Sequence, residues 1–275
     1  MKGRIVLFAV CLIAASAGAG ARFSTVAAQA NTGTIKGRVR LSGKPPGNTI
    51  IRMGVDPMCN KVNAGKRVVQ ETVVASADGG LSNAFVKLQG TFPQTPVPAD
   101  PVLIDQRGCI YLPRVVGMRV GQTLQVRNSD SFLHNVHSSS AHNNTFNVGQ
   151  PTAGLVYQFR PKEEEIMLQL KCEVHRWMIA YVGIVSHPYF AVSGDGGAFE
   201  IDRVPAGART VQAWHERYGM LTQTVNVKAG ATTNVEFTYT GAEKPSATLE
   251  QLELPAGVTT VQLVPGNPDF EETLE

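Results

Sequence analysis

Apolar and polar residues alternate with a period of two along most of this chain, in short runs. Thr34-Ile35-Lys36-Gly37-Arg38-Val39-Arg40-Leu41, Thr123-Leu124-Gln125-Val126-Arg127 and Asn234-Val235-Glu236-Phe237-Thr238-Tyr239 each place their apolar residues on one face of an extended strand. Turn-forming clusters separate such runs: Gly43-Lys44-Pro45-Pro46, Asp78-Gly79-Gly80, Gly194-Asp195-Gly196-Gly197 and Pro205-Ala206-Gly207. Helical periodicity is nearly absent. The pattern predicts an all-β protein of the sandwich or barrel type.

The two ends differ from the body. Met1-Lys2-Gly3-Arg4 precedes an apolar run from Ile5 to Ala15, too short to span a bilayer but suited to a signal peptide over residues 1–30. Small-residue patterns place cleavage after Ala19 or after Ala30, the second leaving Asn31 as the mature start. Cys11 follows Val10, a poor residue for lipid attachment, so an exported, unanchored protein of the periplasm or the exterior is expected. From Gly241 onward prolines and seven acids predict an acidic flexible tail over 241–275, with a late strand at Val258–Val264 as the alternative. No later stretch has the length of a membrane helix. The whole chain carries 25 Lys and Arg against 22 Asp and Glu, and the three-charge excess lies in residues 1–30. A neutral mature chain offers no footprint for nucleic acid or an anionic membrane and no strong field to steer a partner; a monomer is expected.

Cysteine arithmetic narrows the chemistry. After cleavage Cys59, Cys109 and Cys172 remain, an odd number in a compartment that favours disulfides. The run Cys172-Glu173-Val174-His175-Arg176-Trp177-Met178 offers a thiolate, an imidazole and a thioether within seven residues. Such soft donors suit copper better than a hard ion, and two imidazoles plus a thiolate with a weak axial thioether suit both of its oxidation states. His134, 38 residues before Cys172 and just past a turn, supplies the second imidazole. Singly, a buried cysteine or methionine is an ordinary core residue; together, with an unpaired cysteine to explain, they read as a metal set. If copper claims Cys172, then Cys59 and Cys109 are left to pair, stabilising by roughly 3–4 kcal/mol through closure of a loop of about fifty residues. Two free buried thiols are the alternative. Of the other histidines, His137 points to the opposite strand face, His142 sits in a polar loop, and His187 and His215 read as structural.

From about Cys109 to Val185 the chain resembles the cupredoxins. The match runs through Pro113 and Gly117, Gly121-Gln122-Thr123-Leu124-Gln125-Val126, Asn128-Ser129-Asp130, His134-Asn135-Val136 and the Cys-x-x-His-x-x-Met loop, and is most similar to the amicyanin and plastocyanin branch. Leu170 and Arg176-Trp177 stand where the family favours an aromatic and a proline. The resemblance implies a Greek-key sandwich holding one type 1 copper ion on His134, Cys172, His175 and Met178, with Asn135 tying the His134 segment to the thiolate loop. It also implies that His175 lies at the surface as the electron exit within an apolar patch, which Phe132, Leu133 and Trp177, flanking the ligands, can supply; a buried Trp177 that only packs the loop is the alternative.

Residues 33–47 and 84–88, with 197–214, resemble the Ig-like, transthyretin-like carboxypeptidase regulatory domain. That implies a discontinuous Ig-like sandwich over 31–97 and 188–240 around a cupredoxin of 98–187; two domains in series is the alternative. The expected function is one-electron transfer between redox protein partners, with copper delivery as the alternative. No enzyme is expected, because catalytic copper centres need His-x-His pairs and the chain has none.

Overall fold

The computed structural model describes residues 31–243. The signal peptide, the tail beyond Glu243 and the alternative strand at Val258–Val264 lie outside the described residues. The strands are β1 (Thr32–Leu41), β2 (Phe85–Gln89), β3 (Val102–Gln106), β4 (Tyr111–Leu112), β5 (Val115–Arg119), β6 (Leu124–Asn128), β7 (His134–Ser139) and β8 (Asn147–Gln150). They continue with β9 (Val156–Phe159), β10 (Glu165–Lys171), β11 (Ile179–Val185), β12 (Phe190–Val192), β13 (Ala198–Pro205), β14 (Gly207–His215), β15 (Gly219–Val227) and β16 (Thr232–Tyr239). One short helix, α1 (Pro57–Val62), lies between β1 and β2. The protein is all-β, and no helix among the described residues is long and apolar enough to cross a membrane.

Two sandwiches share the chain. In the first, the sheet β13-β1-β16 faces the sheet β12-β2-β14-β15. Their inward residues, including Ile35, Val39, Phe237, Tyr239, Leu88 and Val211, form one core. The alternation in the sequence accounts for this: in β16 Val235, Phe237 and Tyr239 are buried while the residues between them are exposed. The first and last strands close the sheet together. β1 runs parallel to β16 in continuous register from Thr34 opposite Thr232 to Leu41 opposite Tyr239.

The second sandwich is made by the intervening chain, with the sheet β5-β11-β10-β7-β8 against β4-β3-β6-β9. Its core includes Ile104, Leu124, Val126, Leu168, Leu170, Val182 and Ile184. The joint between the sandwiches depends on two glycines. Gly117 and Gly183 are register partners on β5 and β11. A Cβ on Gly183 would come within 2.5 Å of the Phe85 ring, and one on Gly117 within 2.6 Å of Phe190. Their absence lets both rings lie directly on the sheet, where the buried Phe85 contributes about 1.5–3 kcal/mol of apolar burial. Arg114 adds a nearly buried two-point ion pair to Glu216, across the same joint.

One expected boundary is redrawn. Residues 48–73 leave the first sandwich as a strap pinched at its neck, where the Asn48 side chain donates to Val73 O (2.8 Å) and accepts from Val73 N (3.0 Å). Beyond the neck Met53 and Cys59 are buried with Ile51 and Val68 in the core of the second sandwich, so this part of 31–97 belongs with 98–187. The physical cause is the Cys59–Cys109 disulfide, which fastens α1 to the turn between β3 and β4, together with burial of the strap's apolar face. α1 starts where the chain offers an Asp-Pro helix start: the Asp56 carboxylate accepts from Met58 N and Cys59 N, and Pro57 needs no partner for an N–H.

Candidate metal centre

Strand ends bring the donors together. His134 opens β7, Cys172 follows β10, and Met178 immediately precedes β11. The loop folds on itself: Met178 N donates to His175 O (2.8 Å), Cys172 N to Met178 O (3.2 Å), and His175 N to the Cys172 sulfur (3.4 Å). Asn135 Oδ1 accepts from Glu173 N at 2.9 Å, and this joins the His134 strand to the loop. His134, Cys172, His175 and Met178 are all buried. Cys172 is the one free cysteine among the described residues.

The geometry orients the two imidazoles. His134 Nε2 lies 2.8 Å from Asp130 Oδ2, and His175 Nε2 lies 2.9 Å from Asp56 Oδ2. An ionised carboxylate only accepts, so in its neutral form each ring carries its proton on Nε2 and leaves a lone pair on Nδ1. Those two Nδ1 atoms face each other at 3.0 Å, and the Cys172 sulfur is 3.9 Å from the Nδ1 of His175. The three donor atoms lie within 4.8 Å of one another. Two lone pairs so close repel unless a proton or a cation lies between them. Two imidazoles and a thiol, with a buried methionine closing the same loop, are the donor types a copper ion takes, so the residues fit the group that the sequence implies.

Electrostatics hold the carboxylates ionised. Asp130 accepts from Gly108 N and Cys109 N, both at 2.9 Å. Burial pushes its pKa up, but His134 and those two amides lower it further, for a net fall. The hydrogen bond to His175, followed by that from Cys59 N, lowers the pKa of Asp56. Burial raises the Cys172 thiol, while His175 and nearby amides bring it net below its ordinary value. Burial alone would depress His175; Cys172 and Asp56 raise it overall.

The expected exit face differs from the structure. His175 is 1% exposed, because the strap lies over its outer edge. Leu133 is exposed and Phe132 half-buried. Trp177 is half-buried, its ring 5.2 Å from that of His175 and its Nε1 donating to Cys109 O at 2.8 Å. The Cys59 sulfur also lies 3.3 Å from His175 Nε2, but it and Cys109 are bonded to each other and so are not metal donors. Asp130 and Asp56 were missed in the sequence. Asp130 stands four residues before His134 in the Asn128-Ser129-Asp130 turn, and Asp56 carries an Asp-Pro helix start, so each has a local signal but neither has a signal for its histidine.

Neither a protein-family model nor a curated protein matches the chain. Among solved structures it is similar to a copper-containing nitrite reductase from Thermus scotoductus SA-01, at 19% identity and TM-score 0.29, over 34% of this chain and 25% of that one. It is also similar to a purple cupredoxin from Nitrosopumilus maritimus, at 22% identity and TM-score 0.27, over 30% of this chain and 98% of that one. The oxidized state of an amicyanin point mutant gives 20% identity and TM-score 0.28, over 30% of this chain and 81% of that one. The chain thus spans a quarter of the length of the nitrite reductase. These are cupredoxin structures, but at such scores the likeness adds no weight to a function.

Proposed function

We propose that the mature chain is an exported type 1 copper protein that carries single electrons between redox proteins, with His134, Cys172, His175 and Met178 as ligands. The observation that carries this reading is the pair of facing Nδ1 lone pairs beside a buried thiol, each ring fixed from behind by a carboxylate. When bound, copper would supply reversible one-electron chemistry. The chain's own residues prepare for it: Asp130 and Asp56 hold the Nε2 protons, Asn135 fixes the loop, and the buried setting excludes water. Rigid donors reduce rearrangement between oxidation states, which favours a carrier. Copper delivery, the alternative, fits less well, because the strap closes the His175 edge to an acceptor. A buried donor set without a His-x-His pair likewise supports a carrier rather than an enzyme. We read the first sandwich as the Ig-like, carboxypeptidase regulatory-type module that its sequence resembles.

The test is to add Cu(II) to the purified mature protein and record its visible and electron paramagnetic resonance spectra. An intense thiolate-to-copper band at one copper per chain is expected. Tight copper binding without that band would overturn the type 1 reading.

A further inference from the structure

With His175 covered, the strap is the surface that lies over its outer edge. From His175 Nε2 one hydrogen bond leads to Asp56, whose side chain is 28% exposed. Around Asp56 the strap turns apolar residues to solvent: Val55 is 85% exposed and Met58 41%, with Ile50 and Val62 also exposed. Such residues on a disulfide-fastened segment are available to a partner rather than to the core.

The charges around them are mostly positive. Residues 48–73 hold Arg52, Lys61, Lys66 and Arg67 against Asp56 and Glu71, and Asp56 is engaged with His175. Arg176 of the Cys172–Met178 loop lines one surface depression with Ile50, Arg52 and Trp177. All five cations are exposed, and none is in an ion pair among the described residues. The neutral mature chain is therefore locally basic over its metal centre, contrary to the weak steering that total charge suggests.

We propose that the strap is the docking face for an acidic redox protein, and that electrons cross it by way of Asp56 rather than by an exposed His175. This rests on the carrier reading above. An apolar centre with a basic rim matches a partner with an apolar contact ringed by carboxylates, the complementarity that speeds encounter and fixes register.

The first test needs no copper. Hexacyanochromate(III), a paramagnetic trianion, is titrated into the copper-free protein and amide broadening is mapped by NMR. Broadening centred on Arg52, Lys61 and Arg67 is expected; broadening centred elsewhere, or none, overturns the face. The second test follows oxidation of the reduced copper protein by hexacyanoferrate(III), which gains the electron, and by tris(phenanthroline)cobalt(III), a cation. Arg52→Glu with Lys61→Glu should slow the anionic oxidant about tenfold at low salt, speed the cationic one and leave the spectrum unchanged. Equal rates in variant and wild type, or slowing by Leu133→Lys instead, would overturn it. Binding to phosphatidylcholine–phosphatidylglycerol vesicles through the same cations would replace an acidic protein with a lipid surface and sink the proposal. Failure of the blue spectrum with an intact anion map would remove the carrier reading and leave the basic face standing.

Discussion

Each sandwich buries histidines, and the two treat them in opposite ways. His215, at the end of β14, is fully buried, stacks on Tyr218 at 5.0 Å, accepts from Arg217 N, and leaves Nε2 without a partner. Burial, followed by the charges of Arg114 and Arg217, lowers it to about 4. His187 is similar: burial outweighs Glu164 and brings it to about 4, while its Nε2 donates to Leu88 O. His134 and His175 are as deeply buried, but each has a carboxylate on its outer nitrogen. Burial alone makes a neutral packing ring. In His187 and His215 the Nδ1 lone pair is taken by a backbone N–H, from Tyr189 and Arg217, whereas the Nδ1 atoms of His134 and His175 are left facing each other, and that is the difference between a core and a metal centre.

The comparison breaks most completely at Cys172. Cys172→Ser is expected to abolish the thiolate-to-copper band, because a hydroxyl is a poor substitute for a charge-donating thiolate. Met178→Leu should keep both copper and colour and raise the reduction potential, since the axial bond is weak. Equal loss of copper in both variants, by metal analysis and absorption, would contradict a trigonal site with an axial thioether.

Acid should separate the two kinds of histidine next. For His187 and His215 the folded pKa of about 4 lies below the unfolded value, so their contribution is complete above about pH 6.5 and is lost as pH falls towards 4. At about pH 5 the loss is about 2 kcal/mol for each. Urea unfolding of the copper-free protein at about pH 7.5 and about pH 5 measures the slope, and His215→Phe should remove about half of this contribution. An unchanged slope in that variant would mean that His215 is charged in the folded state.

Sequence reasoning saw these regions unequally, for physical reasons. Strands such as β1, β6 and β16 were legible because a half-buried strand writes its burial into alternate positions, and their ends moved by only one or two residues. The four donors were legible because three of them share one short loop with an uncommon combination of side chains. The strap over His175 was not, because Asp56 and His175 are 119 residues apart and no periodicity links them. The one long-range hint was the expected disulfide, now seen between Cys59 and Cys109. A bond from residue 59 to the turn before β4 already required this stretch to lie on the second sandwich rather than within the first.

Removing one carboxylate should turn the metal histidines partway toward the packing kind. Asp130→Asn leaves one oxygen where two now accept from Gly108 N, Cys109 N and His134 Nε2. Copper affinity should fall about 10–100-fold with the colour retained, the effect expected when the partner of a ligand histidine is lost. Competition with a chelator of known affinity measures it; an unchanged affinity would show that the strand alone orients His134.

Asp56→Asn should have the smallest effect and distinguish orientation from folding. Its Oδ1 accepts from Met58 N and Cys59 N at 2.8 and 2.9 Å, while Oδ2 faces only His175. Asparagine caps a helix as well as aspartate does, so Oδ1 can keep α1 in place while the new amide donor meets the Nε2–H of His175. Two donors cannot share that contact. The proton should shift to Nδ1, where it competes with the metal, or the amide should swing into water, which the partial exposure of this side chain permits. That escape limits the loss of copper affinity to about tenfold, the low end for such a partner. Nitrogen-15 NMR of the copper-free imidazole should report more Nδ1-protonated His175 than in the wild type, with amide protection in α1 unchanged. Asp56→Ala should add about 1 kcal/mol of lost capping, seen as faster exchange in α1. If Asp56→Asn leaves both the tautomer and the affinity unchanged, Cys172 and the loop set the His175 ring by themselves, and the carboxylate serves only the helix.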